Sequence, residues 1–394
     1  MHIDINSCFA TIEQQANPTL RYTPIVVAAY NSPGGCILAP SIEAKTYGIK
    51  TGMRVKEAKL LYPRLIVMTP DPDKYRDVHL KLRKILFDFS NDVHAKSIDE
   101  FVLNFEGYPW ENQLKQIALD IKQRIRKEIG DYIRVSVGIA PNRFLAKTAA
   151  GLKKPDGLEE INHKNYLDVY SKLNLVDLHG IYIRNELRLN NAGINSVLEL
   201  YNSPLWKLRV AFKSINAYYW YLRLRGWEID NIEFERKSYG NSFALPTSEG
   251  TTKELFPILQ KLCEKTGSRM RAGGYKARGI HLSLSFRDHT YWHEGDSLSS
   301  FIFDSKDIYK EAVRLLSHTR LKPVHVIAVS VFGLTEEKTL QFSLFENLEK
   351  KQRLVNALDT INDNWGDFLI TPARMVLTAD MIKDRIAFGG VREL

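Results

Sequence analysis

The chain has few cysteines and no long apolar run, and these shortages exclude several classes of protein. Its 394 residues include only three cysteines, Cys8, Cys36 and Cys263, which are widely separated and form no C-x-x-C pair. A structural zinc site and a disulfide framework are therefore not expected. No stretch of about 18 apolar residues occurs, and the first residues lack the basic and apolar regions of a signal peptide. The sequence thus predicts a cytoplasmic protein with no membrane partner.

The composition is that of a folded protein, and its charge suits an anionic partner. Apolar residues make up 44% of the chain and charged residues 26%, which is the balance of a globular protein. Lys and Arg outnumber Asp and Glu by 55 to 46. Between Lys253 and Arg287, eight basic residues occur with only Glu254 and Glu264. A charge run alone is more typical of a solvated helix face, so its meaning depends on its position in the fold.

Short strand and helix patterns alternate through the first 160 residues and predict an α+β domain. The segment His2–Ile5 is a strand that delivers Asp4 to a turn, and 97–105 is a strand that carries Asp99 and Glu100. Residues 19–68 form a small inserted lobe with a hairpin. The helices are expected over 7–17, 75–89, 111–128 and 141–151, packed on one side of an antiparallel sheet.

The rest of the chain divides into a helical part, a linker, a second α+β part and a tail. Residues 166–226 read as helices joined by short turns, and 229–237 is polar and suits a linker. Helices are expected over 252–272 and 305–316, with strands over 280–287 and 324–332. The last 60 residues are expected to be a separate tail.

Three carboxylates are candidates for a metal site. If the strands that carry Asp4, Asp99 and Glu100 are neighbours, their side chains converge at one end of a sheet. Oxygen ligands suit hard cations such as Mg²⁺, and two such ions can assist an in-line phosphoryl displacement. Taken alone, an Asp-Glu pair at a strand end is more often solvated surface.

The sequence segments around these carboxylates resemble those of the Y-family DNA polymerases, the small lesion-bypass enzymes. Order and spacing match the family from His2 to the segment that ends at Phe345. Residues 41–45 resemble the UmuC-type bacterial branch more than the bacterial branch that acts alone. The matching segments are His2-Ile-Asp-Ile-Asn-Ser-Cys-Phe-Ala10, Ser41-Ile-Glu-Ala-Lys-Thr-Tyr-Gly-Ile-Lys-Thr-Gly52, Ser97-Ile-Asp-Glu-Phe101, Val137-Gly-Ile-Ala-Pro-Asn-Arg-Phe-Leu-Ala-Lys147 and Lys153-Lys-Pro-Asp-Gly157.

The resemblance implies a right-hand-like α+β multidomain fold with a fourth, DNA-gripping domain. The implied parts are a catalytic palm over 1–18 and 69–163, with an antiparallel sheet and helices, fingers over 19–68, a helical thumb with a helix-hairpin-helix over 164–232, an α+β little finger over 237–334, and a tail over 335–394.

The resemblance also implies the residues of the catalytic site. Asp4, Asp99 and Glu100, with the Ile5 carbonyl, would hold two Mg²⁺ ions, with Mn²⁺ as an alternative. Phe9 stands where the family places a ring that excludes a 2′-hydroxyl and so selects dNTPs. Ser41, Lys45 and Lys154 lie where the triphosphate is held. Many relatives have Tyr and Arg where this chain has Ile42 and Lys45, so a lower nucleotide affinity is an expectation too.

DNA and protein partners follow from three further segments. The hairpin at Gly180 and Ile181 would bind duplex phosphates of the primer-template, and Tyr182 replaces its usual second glycine. The basic residues Arg269, Arg271, Lys276 and Arg278 would grip DNA in the little finger. The segment around Gln341, Leu344 and Phe345 resembles the peptide by which bacterial polymerases bind the sliding clamp, although its apolar residues equally suit packing. An accessory subunit is a further candidate partner.

The implied function is low-fidelity translesion synthesis during DNA repair and the SOS response to DNA damage. Two alternatives stay open at the level of sequence. A nucleotide cyclase also carries Asp-Glu-Phe on a hairpin, but Lys96-Ser97 stand where that class has two glycines. A catalytically weak DNA-binding subunit that needs a partner is favoured if the changes at Ile42 and Lys45 weaken nucleotide binding.

Overall fold

The computed structural model describes residues 1–231, 236–245, 247–248, 250–336, 348–366, 368–378 and 382. The chain forms two compact units, which divide between residues 232 and 233. Of the helices in these described ranges, none is long and apolar enough to span a membrane.

The strands and helices follow the order expected for two α+β units with a helical part between them. The strands are β1 (His2–Ile5), β2 (Ile25–Ala28), β3 (Ile37–Pro40), β4 (Ile66–Met68), β5 (Val93–Ala95), β6 (Glu100–Leu103), β7 (Val135–Ile139), β8 (Leu158–Glu160), β9 (Ser238–Ala244), β10 (Tyr275–Phe286), β11 (Tyr291–Ile302) and β12 (Val324–Glu336). The helices are α1 (Cys8–Ala16), α2 (Ile42–Thr46), α3 (Val55–Leu61), α4 (Pro72–Phe87), α5 (Leu114–Glu128), α6 (Arg143–Leu152), α7 (Tyr166–Lys172), α8 (Ile183–Asn191), α9 (Val197–Asn202), α10 (Leu205–Phe212), α11 (Asn216–Arg223), α12 (Thr252–Ala272), α13 (Ser305–Leu316) and α14 (Leu348–Trp365).

A five-stranded sheet in the first unit positions the acidic residues. Its order is β5-β6-β1-β7-β8, with β1 in the centre and antiparallel to both neighbours. Ile3 and Ile5 are buried, as suits a central strand. The apolar faces of α1, α4 and α5 pack in the same core as β1, β6 and β7. This arrangement fixes the ends of β1 and β6 side by side, as the sequence predicts.

Residues 25–68 form a small lobe with its own sheet, of order β3-β2-β4. The hairpin β2–β3 agrees with the sequence expectation. The third strand, β4, pairs parallel to β2 and was not expected from the sequence. Its three residues are too few to show a period. A separate core of small and branched side chains, including Val26, Ile37 and Ala44, holds this lobe together.

Helices α7 to α11 form the helical part of the first unit, around a core that includes Leu189, Leu208 and Trp220. Helix α6 joins this part to the sheet. Its N-cap residue Asn142 accepts a bond from the Leu145 amide at 2.7 Å and donates to the carbonyls of Arg223 and Trp227 at 2.8 and 3.0 Å. A single side chain therefore both begins α6 and fixes it to the end of α11 and the chain that follows.

The second unit is a four-stranded antiparallel sheet with helices on its apolar face. The order is β11-β10-β12-β9. On β10, Ile280, Leu282 and Leu284 pack in a core with α12 and α13, while the alternating residues face the other way. Strands β9 and β11 were not expected as strands from the sequence, and both lie at the edges of the sheet.

The part of the C-terminal segment that the structure describes differs from the expectation of a separate tail. Helix α14 contacts α12 through Arg271, whose guanidinium donates to both carboxylate oxygens of Asp359 at 2.6 and 2.7 Å. Val355 lies in the core of the second unit. Lys261 on α12 donates to the carbonyl of Thr378 at 2.6 Å. These residues therefore belong to the second unit.

Candidate active site

The ends of β1 and β6 bring two acidic residues into register. Asp4 pairs directly with Glu100 across the two antiparallel strands. Asp99 precedes β6, and its carbonyl accepts a bond from the Ile5 amide at 2.9 Å. The Asp99 carboxylate accepts a bond from the Ser97 hydroxyl at 2.5 Å. The structure thus places Asp4, Ile5, Asp99 and Glu100, the residues predicted to ligate metal, at one strand end.

Two lysines bind these carboxylates. The Lys154 ammonium donates to Oδ1 of Asp4 at 2.8 Å, and Lys147 on α6 donates to both oxygens of Glu100 at 2.9 and 2.8 Å. Sequence reasoning gave no role to Lys147, although it ends a matching segment. The oxygen atoms that a cation would bind are therefore the ones that attract ammonium groups.

The electrostatics of the three carboxylates favour a bound cation. Burial raises the pKa of Asp4, the neighbouring Lys154 opposes the rise, and the charges of Asp99 and Glu100 add to it. The pKa of Asp99 is also raised, chiefly by burial and further by Glu100. Burial pushes the pKa of Glu100 up, but the hydrogen bonds and charge of Lys147 bring it below its usual value. Mutual repulsion of this kind falls when a divalent cation is shared.

His2 is a site residue that sequence reasoning missed. It begins β1, it is only 2% exposed, and neither ring nitrogen has a hydrogen-bond partner among the described residues. Its Nε2 lies 4.0 Å from Oε2 of Glu100. Burial lowers the pKa of His2 to about 3, against the effect of Glu100. An isolated histidine in a strand has no spacing signal, so only its place in the first motif pointed to the site.

The predicted sugar-selecting residue, Phe9, lies on α1 directly after the strand that carries Asp4. It is buried, and its ring stacks on Tyr75 of α4 with the centroids 4.4 Å apart and the planes 12° apart. The Tyr75 hydroxyl donates to Glu13 at 2.8 Å, and Lys74 donates to the other oxygen of Glu13 at 2.6 Å. Sequence reasoning missed Tyr75, since only the fold brings α4 beside α1.

Ser41 and Lys45, both predicted to bind nucleotide, have different surroundings. Ser41 is fully buried, and its hydroxyl accepts bonds from the amides of Ala44 and Ile25 at 3.1 and 3.3 Å. It therefore caps α2. Lys45 is exposed, and partial desolvation together with the charge of Lys154 lowers its pKa, while Asp4 opposes this. The charges of Lys154 and Asp4 therefore both reach Lys45.

The turn that carries Lys154 is fixed from two sides. Lys122 on α5 is 8% exposed, and its ammonium donates to the carbonyls of Asp156 and Gly157 at 2.6 and 3.3 Å. The Asp156 amide donates to Oδ1 of Asn6 at 2.7 Å. Asp156 has a φ of 60°, a conformation that non-glycine residues adopt only when their surroundings hold them. Lys122 and Asn6 therefore determine where Lys154 lies.

Two open cavities meet at Glu100 and Lys147. One, of about 900 Å³, also contains Asp4 and Lys154 in its lining. The other, of about 780 Å³, includes His2 and Asp99. Both reach His179 and Gly180 of the helical part. The carboxylates can therefore be approached from two directions, and a reaction between two substrates suits that arrangement.

Of the two hairpin residues predicted to bind DNA, Gly180 lines both of these cavities. Gly180 has a φ of 96°, which glycine adopts without strain, and its carbonyl accepts a bond from Asn185 at 3.2 Å. Ile181 is buried in the helical core, whereas Tyr182, in place of the second glycine, is 69% exposed. The turn itself therefore forms without that glycine.

In the second unit, the four predicted DNA-binding residues differ in exposure. Lys276 is buried and Arg271 binds Asp359. Arg269 is half-buried and donates to the Gly240 carbonyl at 3.2 Å. Arg278 is exposed, and its guanidinium donates to the carbonyls of Leu298 and Ser299 at 3.3 and 3.1 Å. The predicted clamp-binding residues Gln341, Leu344 and Phe345 lie outside the described residues.

Comparison with known protein families gives matches over both units. Residues 3–151 match the model of the impB/mucB/samB family, and residues 236–344 match the model of that family's C-terminal domain.

Curated relatives match over nearly their whole length. The chain is 32% identical to a protein named DNA polymerase IV from Pelotomaculum thermopropionicum, covering 97% of this chain and 96% of the relative. It is 33% identical to DNA polymerase IV of Moorella thermoacetica, covering 93% of each. The protein named DNA polymerase IV 1 of Bacillus subtilis is 29% identical over 94% of this chain and 91% of its own.

The chain is also similar to solved structures of Y-family DNA polymerases. A Y-family DNA polymerase chimera of Dbh and Dpo4 matches 85% of this chain and 99% of its own, with a TM-score of 0.75 and 25% identity. DinB from Sulfolobus solfataricus matches 84% of this chain and 97% of its own, with a TM-score of 0.56 and 25% identity. The α+β architecture of both units is therefore that of these structures.

Proposed function

This chain belongs to the impB/mucB/samB family of Y-family DNA polymerases and is a DNA-directed translesion polymerase, and we propose that it works with low fidelity by two-metal-ion phosphoryl transfer. The observation that supports the mechanism most is the convergence of Asp4, Asp99 and Glu100 at the ends of β1 and β6. Primer-template DNA is its macromolecular substrate.

Asp4, Asp99 and Glu100, with the Ile5 carbonyl, would hold two Mg²⁺ ions, or Mn²⁺ in their place. The fit rests on an all-oxygen donor set, on the partial burial of three mutually repelling carboxylates, and on the two ammonium groups that they attract. Bound there, the ions would lower the cost of deprotonating the primer 3′-hydroxyl and stabilise the leaving oxygen. The Ser97 hydroxyl orients Asp99 for this task.

Lys154 and Lys45 would bind the triphosphate of the incoming dNTP. When an anionic substrate and its cation arrive, Lys154 can exchange its bond to Asp4 for one to a phosphate oxygen, since an ammonium group is a compact, mobile donor. Ser41 contributes by capping the helix that carries Lys45. Phe9, held by its stack on Tyr75, would close the space that a 2′-hydroxyl needs. The site would then select dNTPs.

We assign the domains as follows: palm over 1–18 and 69–163, fingers over 19–68, thumb over 164–232 and little finger from 237 to 334. The hairpin at Gly180 and Ile181 would hold the duplex backbone by its amides. In the little finger, the face of β10 opposite the helices carries His281, Ser283 and Ser285, with exposed Arg278 at one end. Its small polar side chains would allow a DNA backbone to approach closely. Arg269, Arg271 and Lys276 would support this domain or add to its positive field.

Several finer roles complete the proposal. Binding of Gln341, Leu344 and Phe345 to the sliding clamp, a cytoplasmic location, a place in the SOS response and an accessory subunit remain predictions from the resemblance. The UmuC-type branch is not confirmed, since the relatives reported above are named DNA polymerase IV. The prediction of that branch rests on the sequence of residues 41–45 alone.

A second candidate function is that of a catalytically weak subunit that needs a partner. One observation favours it: the Ser41 hydroxyl already serves Ala44 and Ile25, so it does not replace the contacts that Tyr and Arg supply in many relatives. The affinity for dNTP in a DNA complex separates the two candidates. A millimolar Kd without a partner would favour the weak subunit.

Primer extension with the double variant Asp99→Asn and Glu100→Gln tests the mechanism. These changes keep the shapes of the side chains but remove two charges that would bind metal. We expect the rate of extension on undamaged and abasic templates to fall at least about 10³-fold, or about 4 kcal/mol of barrier, while DNA binding is kept. Synthesis at the wild-type rate in the double variant would contradict the metal assignment.

A further inference from the structure

The catalytic end of the sheet contains a nitrogen donor that the proposed mechanism does not use. Of the residues that the structure describes, His2, Asp4 and Glu100 form the one group of His, Cys, Asp or Glu in which three ligand atoms all lie within 4.8 Å of one another. The proposed magnesium ligands are all oxygen atoms, so His2 changes the chemical character of the site.

The state of His2 is unusual for a buried polar side chain. Its imidazole is 2% exposed, and both ring nitrogens lack a hydrogen-bond partner among the described residues. A buried polar group without a partner costs about 1–3 kcal/mol, so such a group in a folded protein calls for an explanation. His79, which is equally buried, has its Nδ1 within 2.9 Å of the Ile98 carbonyl. Burial alone therefore does not explain the unpaired state of His2.

Imidazole nitrogen and carboxylate oxygen together suit a borderline cation better than a hard one. Neutral imidazole binds Zn²⁺ and its neighbours well, whereas Mg²⁺ takes oxygen. Two ligands at about 2.1 Å from a tetrahedral Zn²⁺ are roughly 3.4 Å apart. Nε2 of His2 and Oε2 of Glu100 are 4.0 Å apart, so a small movement of either side chain brings them to that spacing.

We propose that His2, Asp4 and Glu100 form a nitrogen–oxygen site that binds Zn²⁺ in competition with the catalytic Mg²⁺ ions. Zinc bound there would occupy carboxylate oxygens that the polymerase reaction needs, and it would displace Lys147 and Lys154 from them. Free zinc would then inhibit DNA synthesis. Because Asp4 and Glu100 are shared, this inference rests on the proposed function.

Nitrogen NMR of histidine tests the proposal on the full-length protein without DNA. The protein is labelled with ¹⁵N only in histidine, and the His2 signals are identified by their loss in His2→Gln. Zn²⁺ is expected to shift one of those two signals strongly, and Mg²⁺ at millimolar concentration is expected not to. If Zn²⁺ moves only signals that persist in His2→Gln, such as those of the close pair His281 and His293, the proposal is wrong.

Calorimetric titration with Zn²⁺ gives the affinity. We expect His2→Gln to weaken binding at this site about 10- to 100-fold, and the matched buried control His79→Gln to keep wild-type affinity. Equal affinity in wild type and His2→Gln would overturn the proposal. Thermal melting shows whether either variant is folded, and if His2→Gln is not, His2→Asn takes its place both for identifying the His2 signals and for the affinity.

Primer extension by the same wild-type sample in Mg²⁺ distinguishes the two proposals. Extension together with an unshifted His2 signal would overturn the zinc site alone. Absence of extension would count against the polymerase mechanism, while the His2 signal decides the zinc site by itself.

Discussion

The proposed sugar selection by Phe9 depends on two helices, because the ring on α1 stacks on Tyr75 of α4. Replacement of Phe9 by Ala removes the ring and is expected to raise the efficiency of rNTP use, relative to dNTP, at least about 10-fold, since a steric exclusion worth 1.4 kcal/mol or more is lost. Steady-state primer extension with each nucleotide measures the ratio. The neighbouring change Cys8→Ala, also in α1, is the control and should keep the wild-type ratio.

Because Phe9 is buried, its removal also has a cost for stability of about 3–5 kcal/mol. Thermal melting of Phe9→Ala must therefore accompany the kinetics, and only the ratio of rNTP to dNTP efficiency in the folded fraction carries the argument. An unchanged ratio in a folded variant would show that the ring does not select the sugar.

Individual residues of the site were predictable from sequence when a strand end or a motif marked them. Asp4 and Glu100 follow from two strand patterns, and their pairing in the structure agrees with that expectation. His2, Lys122 and Tyr75 were not found. Each acts through a contact with a residue far away in the chain, and no local period or spacing reports such contacts.

At the scale of elements, the turn over 153–157 depends on α5. Replacement of Lys122 by Met removes a buried ammonium group that donates to the carbonyls of Asp156 and Gly157. Loss of charged hydrogen bonds of this kind costs about 1.5–3 kcal/mol each. We expect the Kd for dNTP to rise about 10-fold because Lys154 is no longer held in place, with little change in DNA affinity.

Arg126 offers a matched control for that change. It lies on the same helix and also pairs with Asp156, at 2.5 Å, but from the exposed side. Exposed pairs contribute little, so Arg126→Met should alter the Kd for dNTP much less than Lys122→Met. Equal effects of both variants would mean that the charge of the helix, and not the buried contact, acts on Lys154.

Capping of α6 has two separable parts, both from Asn142. Replacement by Ala removes the bond from the Leu145 amide and the two bonds to the carbonyls near α11, whereas replacement by Ser keeps an acceptor for the Leu145 amide and removes only the other two. We expect Asn142→Ala to lower the free energy of unfolding by about 2 kcal/mol or more, since an N-cap contributes about 1 kcal/mol and buried carbonyls lose donors. Urea unfolding measures the free energy of unfolding of each variant, and a smaller loss in Asn142→Ser than in Asn142→Ala is expected from the retained cap.

Elements with strong capping and a clear period were predictable in the second unit as well. Helices α12 and α13 have the bounds expected from sequence, and Thr251 and Asp304 cap them. Strands β9 and β11 were missed because SYGNSFA contains Ser, Gly and Asn, and YWHEGDSLSSFI contains Ser, Gly and two acidic residues. Edge strands with one open face tolerate such residues, so their pairing comes from the neighbouring β10 and β12 rather than from their own preference.

For the whole molecule, the meaning of the basic region between 253 and 287 depends on which charges are already used. The resemblance implied that these basic residues grip DNA, but Arg271 fixes α14 and Lys276 is buried. Only the fold separates charges that hold the second unit together from charges that solvent reaches. A pattern of basic residues in sequence does not contain that distinction.

The two kinds of charge predict two kinds of defect. Arg278→Ala removes an exposed guanidinium, and we expect a uniform loss of DNA affinity together with a fall of about 1 in the slope of log K against log salt concentration.

Arg271→Ala removes the bidentate pair with Asp359, so we expect a lower melting temperature and release of α14 from α12. Its salt slope should stay that of the wild type, because the bound guanidinium is already neutralised by a carboxylate. Fluorescence anisotropy with duplex DNA at several salt concentrations measures the slopes. A fall in slope for Arg271→Ala, without loss of stability, would mean that this guanidinium leaves Asp359 to bind DNA phosphate.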